Sequence, residues 1–166
     1  MAAVAVAAVD AGAQGLATWG PMVTNSQDQA AHHVKIAAGA ASTFALDHQG
    51  RLHAWGQNWL RLCEIPADLG TPIQFAAYFH AVALFANGSV RCWGSNEFGE
   101  CTPPGGIGPV AEVSAGEYFT VARLVDGSVR AWGYNFSGQC NVPPGLSGVI
   151  GVSAGEIHAL AVRSEE

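Results

Sequence analysis

Short apolar runs alternate with glycine-, proline- and asparagine-rich turns along almost the whole chain. The clearest instance is residues 111–140, AEVSAGEYFTVARLVDGSVRAWGYNFSGQC. Its apolar positions predict a strand, a loop, a second strand, a tight turn at Asp126-Gly127, a third strand ending in Trp132-Gly133, and a second loop. The pattern recurs. Trp-Gly pairs begin at Trp19, Trp55, Trp93 and Trp132, with spacings of 36, 38 and 39. The apolar residue that opens each unit, at Ile36, Phe75, Val113 and Val152, is spaced by 39, 38 and 39. A period of this size marks a repeat architecture. The units fall at about 1–35, 36–74, 75–112 and 113–148, with 149–166 completing the first, in one repeat domain. The expected class is all-β, a propeller of four blade-like units.

Within the second unit, Ile36 to Gly39, Thr43 to Leu46 and Arg51 to Trp55 read as successive strands, with Gly50 at the turn. Asn87-Gly88 and Asp126-Gly127 hold the same turn in later units and predict two-residue hairpin turns, whose positive φ suits Asn and Gly. Pro66, Pro103-Pro104-Gly105 and Pro143-Pro144-Gly145 mark outer edges, because proline has no N–H for a strand ladder. A fourth strand after each Trp-Gly loop gives an up, down, up, down order. The loops after the first and third strands then share one face. The Asp-Gly turns and the proline links share the other. Residues 149–163 form the first half of a unit and residues 1–20 a Trp-Gly half, so pairing the two would close a ring and remove two sheet edges.

Composition narrows the function classes. With 12% charged residues, 49% hydrophobic ones and 21 glycines in 166 residues, the chain suits many short strands and not disorder. A net charge of −6 with Lys35 as the single lysine argues against a nucleic-acid binder. No apolar run approaches the roughly 20 residues of a membrane helix. The N-terminal MAAVAVAAVD lacks a basic region and reads as a buried strand rather than a secretory leader.

Cys63, Cys101 and Cys140 each follow their tryptophan by eight residues, and Cys92 directly precedes Trp93. Equivalent positions in successive units should not meet. The cysteines therefore read as free, which leans towards a reducing, intracellular compartment. The adjacent His32-His33 reads as part of a solvated loop, since no third ligand has metal-site spacing. Hydrolase, P-loop, zinc-protease and calcium-loop motifs are absent, so no catalytic residue, metal or cofactor is expected.

The pattern of Ala154-Gly155-Glu-Ile-His158, and of Asp126-Gly127-Ser-Val129-Arg-Ala-Trp132-Gly133-Tyr-Asn135-Phe-Ser-Gly138-Gln139, resembles the regulator of chromosome condensation repeat family. The resemblance covers nearly the whole chain and implies a β-propeller, usually of seven blades. The same fold is used by a propeller-type β-lactamase inhibitory protein that binds through loops on one face. His158 holds the family's histidine position, with Ser42, Ala81 and Phe119 as counterparts. Tyr78 replaces the first-loop glycine of its unit, and Arg61 replaces the loop glycine found at Gly99 and Gly138. Four units leave three arrangements open: a small closed ring, a half-ring that dimerises, and an arc docked on a partner.

The shared loop face gathers Trp59, Glu97, Phe98, Tyr134 and Phe136 from one loop class, and Phe79, His80, Glu117, Tyr118, Glu156 and Ile157 from the other. Aromatic anchors with acidic neighbours point to a basic or amide-rich protein surface. The expected contacts are Trp59, Phe79, His80, Glu117, Tyr118, Tyr134, Phe136 and Glu156. The recurring tryptophans read as blade core, and Asn58, Asn96 and Asn135 as residues that bond their own loops. His53, Arg91 and Arg130 form a row on the third strands, read as a solvated face or as an anion site. The reading is a non-catalytic protein-interaction module, a scaffold or a peripheral subunit of a larger assembly. Its partner is a protein, without nucleic acid or membrane insertion, and a homodimer is open to it. The alternatives are an enzyme inhibitor and a guanine-nucleotide exchange factor for a small GTPase.

Overall fold

The computed structural model of the chain describes residues 33–164. Within that range every regular element is a strand. Three sheets each hold three antiparallel strands in sequence order. They are β1 (His33–Ala38), β2 (Ser42–Asp47) and β3 (Leu52–Gly56), then β4 (Gln74–Ala77), β5 (His80–Leu84) and β6 (Val90–Gly94), then β7 (Val110–Ala115), β8 (Phe119–Leu124) and β9 (Val129–Gly133). A fourth, two-stranded sheet pairs β10 (Val149–Ala154) with β11 (Ala159–Arg163). The first, second and third strands expected in the described units are present, though β1 begins three residues before the expected Ile36 and β3 is shifted by one residue. The predicted strand near residues 4–9, and the closure of a ring by residues 1–20, lie outside the described residues.

The sheets stack face against face. The middle strands β2 and β5 are buried along their whole length, because each is covered on both faces. One apolar cluster joins Phe44 and Leu46 to Phe75 and Ala81. A second joins Val82 and Leu84 to Val113 and Trp132, and a third joins Phe119 and Val121 to Val149. Fully burying a side chain of this kind contributes roughly 1.5–3 kcal/mol. First strands are also bolted to one another. The Gln74 side chain donates to the Val113 carbonyl at 3.3 Å and accepts from its N–H at 3.1 Å. Glu112 accepts from the Val152 N–H at 3.3 Å.

Two of the tryptophans reach backwards. Trp93 Nε1 donates to the Leu62 carbonyl at 2.8 Å, and Trp132 Nε1 to the Glu100 carbonyl at 2.9 Å. The acceptors sit in the loop of the preceding unit, at the same repeat position. The glycine that follows is fixed by space and dihedral together. Gly133 has φ 109°, and a Cβ there would lie 2.5 Å from the Tyr118 carbonyl oxygen.

The fourth strand is not formed among the described residues. Loop bonds take its place. The side-chain oxygens of Asn58, Asn96 and Asn135 accept the N–H groups of Cys63, Cys101 and Cys140 at 2.9, 2.8 and 2.8 Å. These loops turn through one residue of positive φ, Gly99 at 81° and Gly138 at 80°. In the second unit it is Arg61 at 58°, the only such non-glycine among the described residues. An L-residue there is disfavoured by about 1–2 kcal/mol. The exposed Arg61–Glu64 pair at 2.9 Å offsets little of that.

The hairpin turns differ from the two-residue form predicted. Gly88 N–H bonds to the Phe85 carbonyl at 2.9 Å and Phe85 N–H to the Ser89 carbonyl at 3.0 Å, with positive φ at Gly88 and not at Asn87. This is a four-residue turn closed by a glycine bulge. Asn87 instead accepts the Ser89 N–H at 3.0 Å, and Asp126 that of Ser128 at 2.9 Å. His33 opens β1 rather than lying in a loop.

The expectation of four free cysteines is corrected. Cys92 and Cys101 are joined in a disulfide, while Cys63 and Cys140 are free. Equivalent cysteines do not meet, but Cys92 lies on strand β6 opposite its own unit's loop. Ala54 and Ala131 hold that place in the neighbouring units. The cysteine argument for a reducing compartment therefore falls away.

His80 is also corrected. The glycine of the Ala-Gly motif makes room for the side chain three residues on: a Cβ on Gly116 would lie 2.0 Å from the Phe119 ring, and on Gly155 2.5 Å from the His158 ring. In the third unit this loop is one residue shorter. Tyr78 N–H bonds to the His80 carbonyl at 2.9 Å, where Gly116 bonds to Phe119 at 2.8 Å. His80, not Ala81, thus holds the histidine position, and it is fully buried. Thr120 Oγ1 donates to the Glu100 carbonyl at 2.8 Å, so it accepts from His80 Nε2–H at 2.7 Å. Burial holds the His80 pKa down to about 4, against a smaller upward pull from Glu100.

Two outcomes follow. Arg61→Gly relieves the left-handed backbone and should raise unfolding free energy by about 1 kcal/mol; a loss of that size in urea titration contradicts the strain. As pH falls from about 6.5 to about 4, unfolded chains take up a proton that folded His80 refuses. Stability should drop over that window by at most about 3 kcal/mol. His80→Phe, which copies Phe119, should remove that component of the pH profile. Identical profiles for the two proteins contradict it.

Candidate functional site: an aromatic ridge on the loop face

The loops after first and third strands do share a face. Their rings touch in an unbroken series. Tyr78 meets Phe79 with centroids at 5.2 Å, Phe79 meets Tyr118 at 5.1 Å and Tyr118 meets Phe98 at 5.2 Å. Phe98 meets Tyr134 at 4.7 Å, and Tyr134 stacks on Phe136 at 6.3 Å. The ridge crosses two units, drawing rings from both loop classes. Such pairs contribute about 0.5–1.5 kcal/mol each beyond burial. Trp59 stands beside the Tyr78 end, 79% exposed, and Phe136 terminates the other, 88% exposed. Between Trp59 and the ridge lies an open, apolar-walled pocket of about 220 Å³, lined by Ala41, Trp59, Leu62, Phe79 and Tyr118.

Backbone bonds set the spacing of the loops. Ala40 N–H bonds to the Tyr78 carbonyl at 3.2 Å, and Glu117 N–H to the Glu156 carbonyl at 3.2 Å. Buried Glu100 holds the Phe98 loop from below, accepting the Ser95 hydroxyl at 2.6 Å and the Phe98 N–H at 2.9 Å. Carboxylates flank the rings. Burial raises the Tyr78 pKa, with Glu156 and Glu117 adding to it. Burial raises that of Tyr118 as well, with Glu117, Glu97 and Glu100 adding. The face is therefore aromatic and electronegative.

Of the contacts expected from sequence, Trp59, Phe136 and Glu156 are exposed, and Phe79, Glu117, Tyr118 and Tyr134 are half-buried on this face. His80 is in the interior. Phe98, 46% exposed, is the central rung that links the two loop classes. Tyr78 entered the sequence reading only as a glycine replacement, yet it begins the ridge. A bulky residue where the repeat has glycine was the available signal. The His53, Arg91 and Arg130 row does not form one site. Arg91 pairs with Asp68 at 3.0 Å and His53 with Asp47 at 3.0 Å, while Arg130 bonds the Val129 carbonyl at 3.1 Å. Among the described residues, no His, Cys, Asp and Glu group could hold a metal ion, and no helix is long and apolar enough to cross a membrane.

No curated protein matches this sequence. Residues 77–100 and 110–139 match the regulator of chromosome condensation (RCC1) repeat. The fold is similar to that of Prp20p from Saccharomyces cerevisiae, with a TM-score of 0.69 and 18% identity over 81% of this chain and 45% of that one. It is similar also to the CRINKLY WD40 ectodomain of the Arabidopsis thaliana receptor kinase ACR4, with a TM-score of 0.66 and 21% identity over 81% and 47%. Human WBSCR16 gives a TM-score of 0.66 and 17% identity over 81% and 45%. The chain thus spans less than half the length of these three proteins. Two units match the repeat by sequence, and the described sheets follow the same propeller geometry. Residues 77–100 and 110–139 thus carry regulator of chromosome condensation repeats, in a fold similar to that of the propellers above.

Proposed function

We propose that the protein is a non-catalytic protein-interaction module that binds its partner across the aromatic ridge. The observation that carries this reading is the continuous run of rings from Tyr78 to Phe136, held at an exposed face by two classes of loop. Aromatic side chains fixed by neighbours bring large contact area at low entropic cost. Glu97, Glu117 and Glu156 beside them favour a partner surface rich in arginine, lysine or amide groups. Relatives of the fold are protein binders: Prp20p is described with its binding to Gsp1p and histones, and yeast RCC1 with Kap60 bound. A scaffold or peripheral subunit is the role that such a face suits.

An array of immobilised basic, neutral and acidic peptides tests it. Basic peptides should be retained preferentially, more weakly at high salt. Phe98→Ala and Phe136→Ala should each weaken retention at least tenfold, while Phe136→Ala lowers the melting temperature by no more than a few degrees. Equal retention of acidic peptides, or binding indifferent to both substitutions, contradicts the proposal.

A further inference from the structure

One repeat position is filled differently in the second unit. Phe119 and His158 each lay a ring over the glycine three residues before them, and His80 is the buried ring of the third unit. Ser42 takes that place in β2. The loop around it is unchanged, since Gly39 N–H bonds the Ser42 carbonyl at 2.8 Å, as Gly116 N–H bonds that of Phe119. A Cβ on Gly39 would lie 2.6 Å from Ser42 Oγ. A hydroxyl therefore stands where a ring stands elsewhere. Ser42 is 1% exposed, and its Oγ has no hydrogen-bond partner among the described residues. It lines the pocket of about 220 Å³ beside Trp59, where its short side chain leaves room that a ring would fill.

Four aromatic side chains wall this pocket: Trp59, Tyr78, Phe79 and Tyr118. The Tyr78 and Phe79 rings stand at 89° to each other, and those of Phe79 and Tyr118 at 38°, so the walls present ring surface in more than one orientation. No charged side chain among the described residues lines it. Carboxylates stand just outside. Glu117 adjoins Tyr118, and its N–H bonds the Glu156 carbonyl at 3.2 Å. After burial, the charges of Glu156 and Glu117 raise the Tyr78 pKa. Arg61, between the lining residues Leu60 and Leu62, is paired with Glu64 at 2.9 Å.

Negative ring faces, carboxylates at the rim and walls with few hydrogen-bonding atoms suit a cation that has shed its water. An unmodified ammonium is compact and strongly hydrated, with three N–H donors to satisfy. In this pocket its side-chain acceptors would be the Ser42 hydroxyl and the Gln57 amide. A quaternary ammonium has no N–H and lays apolar methyl groups against the rings. The pocket is also open and continuous with the ridge through Phe79 and Tyr118, whereas a site for a free small molecule buries most of its ligand. The cationic head therefore belongs to a segment that lies along the ridge. We propose that the Trp59 pocket is an aromatic cage for a trimethylated lysine of the protein partner. This rests on the reading of the ridge as a partner surface and names the side chain that anchors there.

Fluorescence anisotropy with the intact chain tests it. The probe is a short labelled Gly/Ser peptide with one central lysine. It is made unmodified, trimethylated, or as the neutral isostere with carbon in place of the ammonium nitrogen. The trimethylated form should bind at least tenfold more tightly than either of the others. Ser42→Phe, which restores the ring of Phe119, should abolish that preference. Trp59→Ala should do so too, and Trp59 is 79% exposed, so this variant serves if Ser42→Phe fails to fold. Free choline should compete only at far higher concentration than the trimethylated peptide. Equal binding of the unmodified peptide or of the isostere, or a preference that survives either folded variant, overturns the cage. Choline binding as tightly as the peptide overturns the assignment to a partner's lysine. Retention of basic peptides that depends on Phe98 and Phe136, without any methyl preference, overturns the cage and leaves the ridge reading in place.

Discussion

The stack of described sheets depends on one contact, an indole reaching back to a loop carbonyl of the unit before. Trp93 and Trp132 make it in the same way, at 2.8 and 2.9 Å. The contact combines a large buried ring with a hydrogen bond that, broken in the interior, leaves an acceptor without its partner at a cost of about 1–3 kcal/mol. It also explains the glycine after each tryptophan, since the chain must turn sharply against the first loop of its own unit. The acceptor carbonyls lie in the loops that Asn58 and Asn96 fold, so loop geometry and sheet stacking stabilise one another. Repeat proteins draw their stability from such nearest-neighbour interfaces.

The same loops carry the aromatic ridge. Phe98 sits two residues before Glu100, whose carboxylate ties its N–H and whose carbonyl receives both Trp132 and Thr120. The central rung of the proposed binding face is thus fixed by the residue that locks two units together. A face built in this way is preorganised, which limits the entropy lost on binding. His80 belongs to this buried network rather than to the surface.

Much of this was legible in the sequence, for a physical reason. A repeated contact needs the same residue types at the same interval, so the Trp-Gly period located the sheets. Asn58, Asn96 and Asn135 were legible as loop staples for the same reason. What the sequence concealed lies where one unit departs from the others. A loop shortened by one residue moved His80 from surface to core. A cysteine in place of the alanine found at Ala54 and Ala131 made the Cys92–Cys101 bond, which spacing between units could not reveal. The absent fourth strand escaped because apolar pattern does not distinguish a short outer strand from a loop stapled by asparagine.

Amide hydrogen exchange, resolved by strand, on Trp132→Phe tests the interlock most directly. The substitution keeps a ring but removes the N–H that crosses to Glu100. Protection should fall in β4–β6 as well as in β7–β9, because both sheets lose the same contact. A loss confined to β7–β9, with β4–β6 exchanging as before, would contradict the claim that the tryptophan holds one unit to the next.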